Sequence, residues 1–238
     1  MCFSATASFV ASAGLFSASV YMVKVVKRLN FRAVVSVVMP LGFSVQQAAE
    51  GCVWLALNNG HQQLANNFGL LYMFFGFFFW PAYMPLLGLV NESDHKRKRA
   101  FAVIMVAGLI YGLNLYLPLI SQHTLVQTAI VNQCIAYSMQ FNILATFSYI
   151  PNGFIAVPGS IHNILYLFFG SFSMLISSHR SLGILGVMIG IAYTISYTFY
   201  TVISGSIWCY FAAIISIMMI VIEKNLFYGA IMKKYDIR

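Results

Sequence analysis

The chain has 238 residues, of which 61% are hydrophobic and only 8% are charged. Soluble domains run to about 45–50% apolar and about 25% charged residues, so this composition excludes an ordinary soluble fold. The net charge of +8 does not signal nucleic acid either, because the basic residues sit in short clusters between long apolar stretches, as in a polytopic membrane protein.

Read from the N-terminus, the charge map divides the chain into compartments. Lys24, Lys27, Arg28 and Arg32 close a charge-free opening of 23 residues, and the next 59 residues hold only Glu50. The cluster from Glu92 to Arg99 follows, then 80 residues without charge, Arg180, 42 more without charge, and a charged tail from Glu223 to Arg238. A membrane helix needs about 20 apolar residues. The gaps therefore predict an all-α membrane protein, a seven-transmembrane-helix bundle with spans at 5–26, 33–57, 68–90, 101–120, 161–177, 182–199 and 202–222. It forms a single transmembrane domain over 1–238, with a loop at 121–160 and a tail at 223–238. The first span carries no charged n-region or cleavage site and is read as a retained anchor rather than a signal peptide.

Counting loops alternately places all thirteen basic residues on one side. The positive-inside rule then sets the N-terminus outside and the C-terminus in the cytoplasm, where the basic loop at 95–99 and Lys233 and Lys234 face anionic lipid. An extra span within 121–160 would put Arg180 and the tail outside, so parity argues against one. Instead, the β-branched and aromatic runs 126–131 and 134–141, flanking Asn132 and Gln133, predict a short β-hairpin over the outer face.

Glu50 is the strongest functional clue. An ionised carboxylate in hydrocarbon costs several kcal/mol, and such groups usually face a bundle interior or a cavity. Gln46, Gln47 and Trp54 share its helical face at three- and four-residue spacing. Other predicted spans carry polar groups at the same outer level: Ser4, Ser8 and Ser12 in the first, Asn114 in the fourth, Tyr193 and Tyr197 in the sixth, Trp208 and Cys209 in the seventh. The inner halves read as aliphatic and aromatic, so the pattern predicts a pocket open to the outside rather than a through-channel. With no Lys or Arg at its depth, Glu50 is expected to be neutral until a cation or positive group arrives.

The four cysteines, Cys2, Cys52, Cys134 and Cys209, all fall in the outer half under this topology. Cys2 and Cys209 lie at the outer ends of the first and last spans and form the preferred close pair, as a disulfide or a shared ligand pair. The run Phe74–Phe79, Trp80, Pro81, with Pro85 beyond it, predicts a kinked third helix with a bulky aromatic surface. The spacings Gly108/Gly112 and Gly186/Gly190 predict close helix contacts.

Several classes are argued against. A Schiff-base lysine within a late helix is lacking, since Lys224 sits at the end of the seventh span. The histidines are scattered through loops and helix ends, with no His-x-x-x-His pair for zinc. Walker, Rossmann and Ser-His-Asp signatures are missing.

The opening Met1-Cys2-Phe3-Ser4-Ala5-Thr6-Ala7-Ser8, the block Gln46-Gln47 to Glu50-Gly51 with Trp54, and Ser206-Ile207-Trp208-Cys209 followed by Phe211-Ala212-Ala213 resemble a family of uncharacterised bacterial integral membrane proteins that begin Met-Cys-Phe-Ser. The resemblance covers most of the chain, least clearly 121–160. It implies a bacterial inner membrane and draws attention to Cys2, Glu50, Trp54, Trp208 and Cys209, without supplying an activity or cofactor. The expected function is a sensor or transporter that binds a small molecule or cation around Glu50. The alternatives are a membrane enzyme with a thiol centre at Cys2 or Cys209, and a structural subunit.

Overall fold

The computed structural model describes residues 4–26, 30–121, 126–131, 133–139, 161–199 and 204–224. Seven helical segments occupy the seven predicted intervals. They are α1 (Ala5–Val25), α2 (Phe31–Asn58), α3 (Gln62–Asn91), α4 (His95–Ser121), α5 (Ile161–Gly170, followed by a 3₁₀ turn Phe172–Ile176), α6 (Arg180–Phe199) and α7 (Ser204–Ser216, resuming after Ile217 as far as Lys224). Five of these are long and apolar enough to cross a membrane: α1, α3, α4, α6 and Ser206–Lys224 within α7. At 28 residues α2 is long enough too, but its glutamines, Glu50 and serines make it more polar than that set. The fifth segment is an α-helix of ten residues and gives way to the tighter 3₁₀ turn, so it is shorter than the straight span expected over 161–177.

Helix ends follow from local chemistry. The Ser4 hydroxyl accepts from the Ala7 N–H and the Asn30 side chain from the Ala33 N–H, satisfying donors that the first turn leaves orphaned. Helix α2 stops at a Schellman turn: Gly60, at φ +75°, bonds back to Leu57 O while His61 N–H reaches Ala56 O. Asp94 caps α4 by accepting from Arg97 N–H at 2.9 Å.

Within α3 the stretch Phe74–Phe79 is a π-helix, with Trp80 N–H bonded to Phe75 O. Pro81 and Pro85 lack N–H groups, so the carbonyls of Phe77 and Pro81, four residues ahead of each, lose the partner an α-helix would give them. Helix α4 approaches at those two points. A Cβ on Gly112 would sit 3.0 Å from Phe77 O, and one on Gly108 only 2.2 Å from Pro81 O. The expected kink is thus a π turn, and the expected glycine contacts are a backbone-to-backbone docking of α4 on α3. Gly186 does the same for α6, where an added Cβ would lie 2.7 Å from Ser171 O, and Gly190 makes room for the Ser171 side chain, whose Oγ an added Cβ would meet at 2.7 Å.

The hairpin is present, with β1 (Val126–Val131) antiparallel to β2 (Cys134–Met139) and Val131 paired with Cys134. Gln133 takes a left-handed φ of 58°, as a two-residue hairpin turn requires. Thr128 stands on α3, its N–H and hydroxyl both bonded to Asn66 and its carbonyl accepting from Gln62. Tyr137 stacks on Tyr72 with ring centroids 4.4 Å apart, and Ser206 of α7 donates to Ile135 O at 3.0 Å. The hairpin therefore covers one end of the bundle. Helix α3 begins six residues earlier than the predicted 68, and the extra polar turns are what carry it.

At the other end, Glu92 joins the α3–α4 loop to the start of α6. Its carboxylate accepts from Ser178 N–H at 2.7 Å, Ser178 Oγ at 2.6 Å, and the N–H groups of Ser93 and Asp94. Burial alone would push this carboxyl up, but the bonds from Ser178, Asp94 and Ser93 outweigh it and hold the pKa at about 2. A depressed native pKa stabilises the fold above the unfolded value near 4.5, and that contribution disappears as pH falls through about 2. The melting temperature of Glu92→Gln should thus lie below wild type at neutral pH, and the gap should close on acidification. A gap that stays constant down to pH 2 would refute this.

Candidate functional site

The site grows from the inner face of α2. Gln46, Gln47 and Glu50 are fully buried and Trp54 nearly so, as their common helical face requires. Gln46 is fixed at both ends of its amide: its Oε1 accepts from Trp80 Nε1 of α3 at 2.8 Å, and its Nε2 donates to the Cys209 thiol of α7 at 3.3 Å. Phe43, three residues back, stacks on the Trp80 indole at 3.8 Å. The Tyr72 hydroxyl is a further hydrogen-bond neighbour of the Cys209 thiol, and the Glu50 carboxylate lies within its electrostatic reach. Three helices therefore meet in one polar knot.

Beyond Cys209 the interior becomes aromatic. Trp208 is met edge-on by Tyr166 of α5, with centroids 5.1 Å apart and planes at 77°, and by Tyr193 of α6, at 5.9 Å and 83°. Tyr197 lies parallel to Tyr193 at 6.1 Å. The Tyr166 hydroxyl is within electrostatic reach of Cys209, Tyr111 and Tyr193, which ties this aromatic corner to the knot around Gln46.

Buried polar groups are normally satisfied, and each orphan costs about 1–3 kcal/mol. Here Gln47 Oε1 and Nε2, Trp54 Nε1, Trp208 Nε1, Tyr193 OH, Ser8 Oγ and Ser196 Oγ have no partner among the described residues. These atoms lie on α2, α6, α7 and the facing turn of α1.

A family model for a family of unknown function, DUF6629, matches residues 1–227. The chain belongs to the DUF6629 family. No curated protein and no solved structure matches it. Of the residues singled out from sequence, Gln46 and Glu50 meet Cys209. Ser8 is buried one turn beyond Ser12, whose hydroxyl donates to Ser44 O while Ser44 Oγ donates back to Ser12 O, each at 2.8 Å. That register sets Ser8 level with Gln47–Gly51, where Phe9 fills the space in which a Cβ on Gly51 would fall.

Asn114 is a correction. It is exposed on α4 and donates to Ile110 O at 2.8 Å within its own helix. Gly108 and Gly112 dock α4 by its opposite side, so Asn114 does not face the bundle interior as the sequence reading expected. Cys2 lies outside the described residues, so its pairing with Cys209 does too; Cys209 itself carries a free thiol. A second correction concerns the half of the bundle away from the hairpin, which the sequence reading expected to be aliphatic and aromatic. There Ser36 of α2 donates to Glu223 of α7, and Tyr83 of α3 donates to Val35 O. Glu223, read as the first residue of the tail, is buried within the helix.

Sequence reasoning missed Tyr72, Trp80 and Tyr166 as site residues. Tyr72 and Trp80 are eight residues apart, which sets them about 80° apart on an ordinary helix. The wider π turn between them rotates Trp80 back toward the side of Tyr72. No local sequence signal announces that rotation, although the proline that favours it is visible at position 81. Tyr166 is a lone tyrosine in an apolar run, and only the packing reveals it.

Proposed function

We propose that the region around Glu50 is an outward-facing chamber within the membrane that binds a small ligand or ion, and that the protein acts as a sensor or transporter in a bacterial plasma membrane. The observation that carries this reading is the fully buried carboxylate of Glu50, on one helical face with Gln46, Gln47 and Trp54 and within reach of the Cys209 thiol, which Gln46 and Tyr72 also meet. Helix packing alone would call for matched hydrogen bonds, whereas Gln47, Trp54 and Trp208 keep polar atoms without partners among the described residues.

The segregation of the basic residues supports seven spans with the N-terminus and the hairpin outside and Arg180 and Arg238 in the cytoplasm. In that orientation the hairpin covers the outer mouth of the chamber, through Tyr137 on Tyr72 and Thr128 on Asn66, and access requires it to lift. Binding of a candidate solute to right-side-out vesicles, compared with inverted ones, tests both parts together. Saturable binding should occur from the outer side and be lost in Glu50→Gln at unchanged protein level. Binding only from the cytoplasmic side, or binding untouched by Glu50→Gln, would overturn the reading.

A thiol enzyme is the less favoured alternative. Cys209 is fully buried and held by Gln46, whereas a reactive thiolate calls for an electropositive and partly open setting.

A further inference from the structure

The chemistry of the chamber wall narrows the ligand. From the geometry we infer that the chamber takes a small organic ammonium ion bearing an acceptor oxygen, with its charge between Glu50 and the corner formed by Trp208, Tyr166 and Tyr193. This rests on the Glu50 chamber proposed above and adds the ligand class.

The sequence supplies no lysine or arginine between Arg32 and Lys96, between Arg99 and Arg180, or between Arg180 and Lys224. The charged side chains buried within the described helices, Glu50 and Glu223, are both carboxylates, so an anionic ligand at Glu50 would meet repulsion without a counter-charge. A hard inorganic cation needs about six or more oxygen ligands. Gln46 Oε1 is already committed to Trp80, and no group of three or more His, Cys, Asp or Glu residues stands together among the described residues. Aromatic rings are what the wall has in abundance. Tyr166 and Tyr193 both pack edge-on against Trp208, at 77° and 83°, so three rings cluster at one corner of the interior. Ring faces attract an alkylammonium without stripping it to bare oxygen coordination, and tryptophan does so best.

The second half of the inference comes from donors. Trp54 Nε1, Trp208 Nε1 and Tyr193 OH have no partner among the described residues. An indole N–H can only donate, so these groups call for an oxygen on the ligand rather than for the ammonium itself. A molecule with a hydroxyl or carbonyl a few bonds from a substituted nitrogen satisfies the carboxylate, the rings and the donors together.

The test uses the full chain in nanodiscs, with choline as probe, its neutral isostere 3,3-dimethylbutan-1-ol as shape control, and Na⁺ and K⁺ as inorganic controls. Choline should bind saturably and raise the melting temperature, and the neutral isostere should do neither. Trp208→Leu should weaken choline binding about tenfold, the loss expected for a desolvated cation–π contact, and Trp208→Phe should weaken it less. The pair separates loss of the ring from loss of the fold, because a variant that binds more weakly with an unchanged melting temperature is still folded. Equal binding of choline and its isostere would overturn the ammonium assignment. Binding of Na⁺ or K⁺ that depends on Glu50, with none of choline, would overturn it while leaving the Glu50 chamber standing. Failure of every probe to bind would count against both.

Discussion

Gly108→Leu is expected to leave no folded protein, and Gly108→Ala to cost about 1–3 kcal/mol or more. The added Cβ falls 2.2 Å from Pro81 O and 2.9 Å from Pro81 C, and those atoms are backbone, which cannot swing aside as a side-chain tip would. To make room, α4 must withdraw from α3. It then gives up the close approach of its glycines to the carbonyls of Pro81 and Phe77, which Pro85 and Pro81 deprive of their usual donors, and the weak Cα–H···O contacts that such an approach allows. Gly14→Ala is the control: nothing lies within 4 Å of its added Cβ, so relief of the glycine penalty, up to about 1 kcal/mol, should leave it neutral or slightly stabilised. Thermal unfolding in detergent measures both. Equal behaviour of the two variants would mean that the α3–α4 docking is not as tight as described.

Gln46→Leu is expected to lower stability by about 1–3 kcal/mol for each donor or acceptor it strands. It removes the acceptor for Trp80 Nε1 and the donor to Cys209 in one step, and Trp80 is too deeply buried to find water. Trp80→Phe deletes the indole N–H and keeps a ring to stack on Phe43. The double variant should therefore cost less than the sum of the two single ones, because each single change leaves the other group unpaired and the double change does not. Strict additivity would show that Gln46 and Trp80 do not depend on each other. The same variant bears on function: Gln46 fixes the packing of α7 one turn from Glu50, so its loss should also blunt any ligand-induced stabilisation.

How far the sequence carried can be judged from particular residues. The helical intervals were legible because charge is confined to helix ends, and the hairpin because Asn132 and Gln133 interrupt two β-branched runs at two-residue spacing. The stripe Gln46, Gln47, Glu50 and Trp54 was legible from helical period alone, and its burial follows from the cost of setting a carboxylate against lipid. Facing was legible only where a helix carried several polar groups. Asn114 stands alone on α4, where one asparagine can bond to its own backbone, as it does to Ile110 O, and then needs no interior partner. Glu223 was hidden by its place beside Lys224 at the edge of a charged tail. Its role shows only when α2 brings Ser36 to it across 187 residues of chain. Likewise, nothing local to the sequence pairs Glu92 with Ser178, because that link joins two loops through the fold of the whole bundle.

The reciprocal bonds between Ser12 and Ser44 have a consequence for how the protein is made. They join consecutive helices, so they can form as soon as α1 and α2 have both left the ribosome, before any other helix exists. Helix α1 is apolar and turns most of its surface away from the protein, which makes it stable in lipid by itself. Helix α2, with two glutamines and a carboxylic acid, is a poor candidate for solitary insertion. The serine clasp gives the polar helix an escort during synthesis, shielding part of it until α3 and, much later, α7 arrive to enclose Glu50.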